Sequence, residues 1–91
     1  MLRGGQARIL KTFGTKLKQA RLRAGYRSAQ KFAEGIGIEP AAYRYYERGE
    51  SEPSFETLTR ICQSLDITPN DLLPEAASKL RPVLTAQTRQ I

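Results

Sequence analysis

The amino-acid sequence predicts an all-α domain of five short helices, flanked by a basic N-terminal arm and a short C-terminal tail. Three observations carry this expectation. Apolar residues recur at helical spacing between Phe13 and Leu73. Ser, Thr and Gly fall at the intervals where helices begin and end. No stretch alternates apolar and polar residues as a half-buried strand does. With 91 residues, the chain has room for one modest core and not for two.

The elements follow in order. Residues 1–11, with Gly4, Gly5 and scattered charge, read as an arm. Thr12 caps a first helix that turns Phe13, Leu17, Ala20 and Ala24 inward, and Gly25 supplies its left-handed stop. Ser28 caps a second helix burying Phe32, Ala33 and Ile36, which Gly37 ends. Pro40 suits the first position of a third helix, running to about Arg48 and stopping at Gly49. Ser54 caps a fourth, whose inner face is Phe55, Leu58, Ile61, Cys62 and Leu65. Thr68 and Pro69 open a short fifth helix, in which Asp71 completes a capping box and Leu72 and Leu73 face the core. Pro74 ends the domain, so the expected division is arm 1–11, domain 12–74 and tail 75–91, with a helical stretch at 75–81 before Pro82.

Composition narrows the function. No histidine is present, so Ser-His and Cys-His pairs are impossible, and no carboxylate pair stands out on one element. An enzyme is not expected. The single cysteine, Cys62, has no partner for a disulfide or a metal site and reads as a small core residue. No metal or cofactor is expected. No run approaches the roughly 20 apolar residues needed to span a bilayer, and the start lacks a secretory pattern. A cytoplasmic protein is the simplest expectation.

Charge is the positive clue. Nine basic residues lie between Met1 and Lys31, and no acid precedes Glu34; the rest of the chain has six basic and nine acidic residues. Such a block attracts a polyanion, most simply nucleic acid, although an anionic membrane surface also satisfies it. An acid-free, Arg-bearing start also fits an organelle transit peptide. Against that, residues 13–24 already have a place in the core.

The segment SAQKFAEGIGIEPAAYRYYERG, residues 28–49, has a steric logic. Two helices crossing near a right angle need a small residue where they pass, which is Ala33. The turn needs positive φ, supplied by Gly37, and a bulky residue, Tyr43, must lock the second helix to the core. Their joint spacing predicts a helix-turn-helix. Rotating the third helix at about 100° per residue puts Tyr43 and Tyr46 inward and clusters Ala41, Arg44, Tyr45 and Arg48 on the other side.

These motifs resemble the DNA-binding domains of the lambda-repressor and Cro type. The resemblance covers residues 13–73 and rests on LKQARLRAGYRS with Arg21, the FA…G turn, YERG, PSFETL and SLDITPNDLL. It implies a structural ion pair between Arg21 and Glu47, and docking of the third helix in the major groove of double-stranded DNA. Arg44 then reaches guanine or phosphate, Tyr45 and Arg48 a phosphate or base edge, and Ala41 and Ala42 a thymine methyl. Ser28, Gln30 and Lys31 open the second helix, which the resemblance sets against phosphates, with Arg27 beside them. The bland reading makes Arg27 and Lys31 plain surface charge and Tyr43 and Tyr46 core. The chain departs from the pattern where Pro40 and Ala41 replace amide base readers, and where Glu39, Glu50 and Glu52 bring negative charge.

The expected function is a small transcriptional regulator, most simply a repressor, that binds DNA sequence-specifically as a homodimer, with the fifth helix and residues 75–91 as the expected dimer surface. The alternative is an antitoxin or protein-interaction module on the same fold, with residues 75–91 contacting a protein partner.

Overall fold

The computed structural model describes residues 4–74, with side chains from Ala7 onward. Helix α1 spans Gly4–Arg23, α2 Ala29–Gly35, α3 Pro40–Arg48 and α4 Phe55–Leu65; a single 3-10 turn follows at Pro69–Leu72. No strand occurs among the described residues. The expected arm at Met1–Arg3 and everything assigned to residues 75–91 lie outside them.

Helix α1 starts two turns before its expected cap. Residues 4–11 are helical, so Thr12 is an interior residue and the arm reading fails there. The reason is packing. Leu10 sits three residues before Phe13 and seven before Leu17, and all three are buried. The apolar stripe therefore continues upstream and overrides two glycines of poor helix propensity. Ala24, expected inward, is exposed because the helix has already ended at Arg23.

The caps are local and simple. Ser28 Oγ accepts from the Lys31 N–H at 3.1 Å, and Ser54 Oγ from the Thr57 N–H at 3.2 Å. All four helices close with a 6→1 backbone bond over a left-handed residue. The bonds are Tyr26 N to Arg21 O, Ile38 N to Ala33 O, Glu50 N to Tyr45 O and Ile67 N to Cys62 O. The left-handed residues are Gly25, Gly37, Gly49 and Asp66.

The fifth element is one 3-10 turn rather than an α-helix. Pro69 opens it and its last carbonyl bond reaches only to Leu73, too short a run to repay helix nucleation. Asp71 Oδ2 still accepts from the Thr68 N–H at 2.8 Å and its hydroxyl at 3.1 Å. Leu72 is buried and Leu73 half-buried.

Leu17, Ala33, Tyr43 and Ile61 form the fully buried centre. On α4, Ile61, Cys62 and Leu65 are buried and Leu58 partly so, but Phe55 is 82% exposed. Its position just after the Ser54 cap turns the ring away from the core, a correction to the expected inner face. Two glycines allow α1 to lie directly on α3. A Cβ at Gly14 would stand 2.4 Å from the Glu47 carbonyl oxygen, and one at Gly49 2.8 Å from that of Leu10. That contact fixes where α3 sits.

Candidate nucleic-acid interface

The inner side of α3 is anchored by aromatic packing and one polar cluster. Tyr43 is fully buried; its ring meets Phe32 edge-on at 5.4 Å and Tyr46 at 6.4 Å, and Tyr26 packs on Phe32 at 4.9 Å. Tyr46 is half-buried against the same core. The Tyr43 hydroxyl donates to Glu47 Oε2 at 2.6 Å. Glu47 also receives two bonds from Arg21, Nε to Oε2 at 2.6 Å and Nη2 to Oε1 at 3.2 Å. The remaining nitrogen, Arg21 Nη1, donates to the carbonyls of Tyr26 at 2.7 Å and Arg27 at 2.9 Å.

This cluster is buried, with side-chain exposures of 4% for Arg21 and 9% for Glu47. Among the described residues no buried side-chain nitrogen or oxygen lacks a partner. The bond to Glu47 raises the Arg21 guanidinium pKa above its ordinary value, against the opposing effect of burial. Burial, followed by the Glu47 carboxylate, raises the Tyr43 phenol, which stays a neutral donor. Mechanically, one guanidinium ties α3 to the turn before α2. It thereby sets the spacing between the outer face of α3 and the backbone around Arg27 and Ser28.

The outer side of α3 carries Ala41, Arg44, Tyr45 and Arg48, all exposed and on one face. Arg44 forms no ion pair among the described residues. Arg48 lies over the Tyr45 ring at 4.9 Å and approaches Glu50 at 3.6 Å, so part of its charge is already answered. Ala42 is half-buried. Beside this face, Arg27, Gln30 and Lys31 are exposed and Ser28 half-buried at the start of α2. The Gln30 amide donates to Glu34 at 3.2 Å, and the Ser28 oxygen is engaged as a cap. Ala33 is buried beneath them, and Gly37 turns the chain at φ +74°.

Three features escaped the sequence reading. Glu39 is the cap of α3, its Oε1 accepting from the N–H groups of Ala41 at 2.8 Å and Ala42 at 3.2 Å. Its charge is spent on the helix N-terminus rather than presented as a free base reader. Its signal was the adjacent Pro40, which marks a helix start and so a cap one residue earlier. Arg60 reaches from α4 to the Gly37 carbonyl at 3.3 Å, bracing the turn, and pairs with Glu56 at 3.5 Å. Lys11 donates to the Arg48 carbonyl at 3.5 Å, at the end of α3.

Among the described residues no group of three His, Cys, Asp or Glu residues could hold a metal. Burial, and after it the Asp71 charge, raises the Cys62 thiol pKa, which disfavours the thiolate. No described helix is long and apolar enough to cross a membrane.

Relatives agree with this geometry. Over 61 residues, 67% of the chain, the sequence is 39% identical to the SPβ prophage-derived uncharacterized HTH-type transcriptional regulator YonR of Bacillus subtilis (strain 168). That match spans 56% of the relative, so the chain corresponds to little more than half its length. The fold is similar to the crystal structure of the restriction-modification controller protein C.AhdI from Aeromonas hydrophila, with a TM-score of 0.64 and 28% identity. The similarity covers 70% of this chain and 96% of that one. The helix-turn-helix family pattern itself matches residues 17–72. The chain belongs to the lambda-repressor/Cro type of helix-turn-helix family.

Proposed function

We propose that this chain binds double-stranded DNA as a small transcriptional regulator, with α3 in the major groove. The observation that carries the reading is Arg44, unpaired among the described residues, on the exposed face of a helix whose opposite face is locked by Tyr43 and the Arg21–Glu47 pair. A rigid helix with an uncommitted guanidinium suits bidentate recognition of guanine. Ala41 offers a methyl to thymine, and Tyr45 and Arg48 reach a base edge or the flanking phosphate. Arg27, Ser28, Gln30 and Lys31 take phosphates of the backbone, and the Arg21 bonds to the 26–27 carbonyls keep that group in register with α3.

The chain acts as a homodimer in this reading, because one short helix with few base donors discriminates weakly. Two copies spaced by about one turn of DNA double the readout. A mostly apolar groove of about 280 Å³ among Ile9, Leu10, Phe13, Pro53, Leu58 and Leu73, with Glu52 at its edge, is one surface among the described residues that suits that contact. Such a regulator works in the cytoplasm, needs no cofactor, and most simply represses.

A selection from random-sequence duplexes, repeated at increasing salt, tests this. Enrichment of a symmetric motif with steep salt dependence is the expected outcome. Salt-sensitive binding without a motif would leave a non-specific binder. No binding at low salt would favour the protein-interaction reading, with a partner held through residues 75–91.

A further inference from the structure

Four of the six basic residues on α1 fall on two flanks, with exposed Arg8 between them at roughly 120° from Gly14 and Arg21 buried. At about 100° per residue, Lys11 and Lys18 lie roughly 40–60° around the helix from Gly14, whose bare backbone rests on Tyr46 and Glu47 of α3. Lys16 and Arg23 lie roughly 160–180° from Gly14, on the side where they share a cleft with Ile67 and Asp71. The first flank therefore borders α3, and the second faces away from it.

The α3 flank is exposed and uncompensated. Lys11, Thr15 and Lys18 are exposed, and α1 contains no acidic residue. Neither lysine forms an ion pair among the described residues. Of the nearby carboxylates, Glu47 is held by Arg21, Glu50 pairs loosely with Arg48 at 3.6 Å, and Glu52 lies on the other side of α1, with Ile9 and Leu10. Lys11 marks the exact place, since its ammonium reaches the last carbonyl of α3 at 3.5 Å, a bond long enough to exchange readily for a phosphate. The upstream turns of α1 are what bring it there.

We infer that Lys11 and Lys18 form a second phosphate-binding strip, along the flank of α1 beside α3, which grips the DNA backbone outside the helix-turn-helix. The inference rests on the DNA-binding reading above and deepens it. The strip supplies positive charge beside the Glu50–Pro53 loop, whose own charges, Glu50 and Glu52, repel phosphate. It adds affinity without base discrimination, because phosphate contacts are blind to sequence.

The test compares two full-length double variants with equal charge loss, K11Q/K18Q and K16Q/R23Q. Binding to a mixed-sequence duplex of about 30 base pairs is titrated across a salt series, with thermal melts confirming folding. The K11Q/K18Q variant should lower the magnitude of the log–log salt slope by about 2, and weaken binding on the order of ten- to a hundredfold at about 0.1 M salt. The K16Q/R23Q variant should keep the wild-type slope. Equal losses in both would overturn the strip, leaving only a bulk-charge effect. An unchanged slope in K11Q/K18Q, beside a steep wild-type slope, would also overturn it and leave the helix-turn-helix reading intact. A wild-type chain that shows no salt-sensitive binding would instead remove the DNA-binding reading itself.

Discussion

The two sides of helix α3 each take part in a cluster of the same three residue types, in different surroundings. Inside, Arg21, Glu47 and Tyr43 meet at 2.6 Å, with the charged side chains 4% and 9% exposed. Outside, Arg48, Glu50 and Tyr45 meet more loosely, with the ion pair at 3.6 Å and 56% and 49% exposed. The inner group is cut off from water, so each member depends on the others for its hydrogen bonds. The outer group is hydrated, so its contacts can be exchanged at little cost. One set makes a fixed joint and the other a surface open to a ligand.

Breaking the inner joint should have the largest effect. Glu47→Ala leaves the Arg21 charge and the Tyr43 hydroxyl buried without their acceptor, a loss of about 3–5 kcal/mol. For a domain of this size the melting temperature should fall by more than about 10 °C. A calorimetric melt within a few degrees of wild type would mean that the cluster is not a structural joint. Tyr43→Phe should cost less, about 1.5–3 kcal/mol, because the carboxylate keeps Arg21. It also has a pH signature. The folded-state phenol pKa is raised above its ordinary value of 10.0, so its stabilisation is complete below that pH and is lost as pH climbs further. Denaturation curves of wild type and Tyr43→Phe should therefore converge at alkaline pH.

The joint also shows how far the sequence could be read. Its ends were legible because capping is local: Ser28 and Ser54 bond within three residues, and Gly25, Gly37 and Gly49 adopt the left-handed angles their positions demand. The Tyr43 hydroxyl bond was not legible, since periodicity gives the side of a helix and not what its tip touches. Phe55 failed for a related reason: spacing placed it beside Leu58 and Ile61, but the first turn of α4 projects past the core. The start of α1 was missed because buried Leu10 lies beside Pro53, Leu58 and Leu73, far away in sequence, whereas Gly4 and Gly5 signal a loop locally. Gly14 was the unused clue. A glycine inside a helical pattern often marks a close backbone approach, here that of α3.

On the outer side, Arg44→Ala should leave the melting temperature unchanged, since the side chain is exposed. Its effect belongs to binding: loss of a bidentate guanine contact costs about 1–3 kcal/mol of discrimination at one position of the selected motif. Competition between the best duplex and its single-base variants would show it. A uniform loss across all duplexes would instead make Arg44 a phosphate contact.

Glu50→Gln is the smallest change in stability and the sharpest contrast with Glu47. An exposed pair at 3.6 Å contributes within about 0.5 kcal/mol, so melts of the two proteins should nearly overlay. Binding should move the other way from Arg44→Ala. With Glu50 neutral, Arg48 no longer divides its charge, and repulsion between the loop and phosphate falls, so affinity for a duplex should rise severalfold at low salt. The gain should shrink as salt screens it. Tightening would mean that this acidic residue restrains a helix otherwise ready to bind. Weakening would mean that Glu50 holds Arg48 in the position it needs, and the outer cluster would then be, like the inner one, a joint.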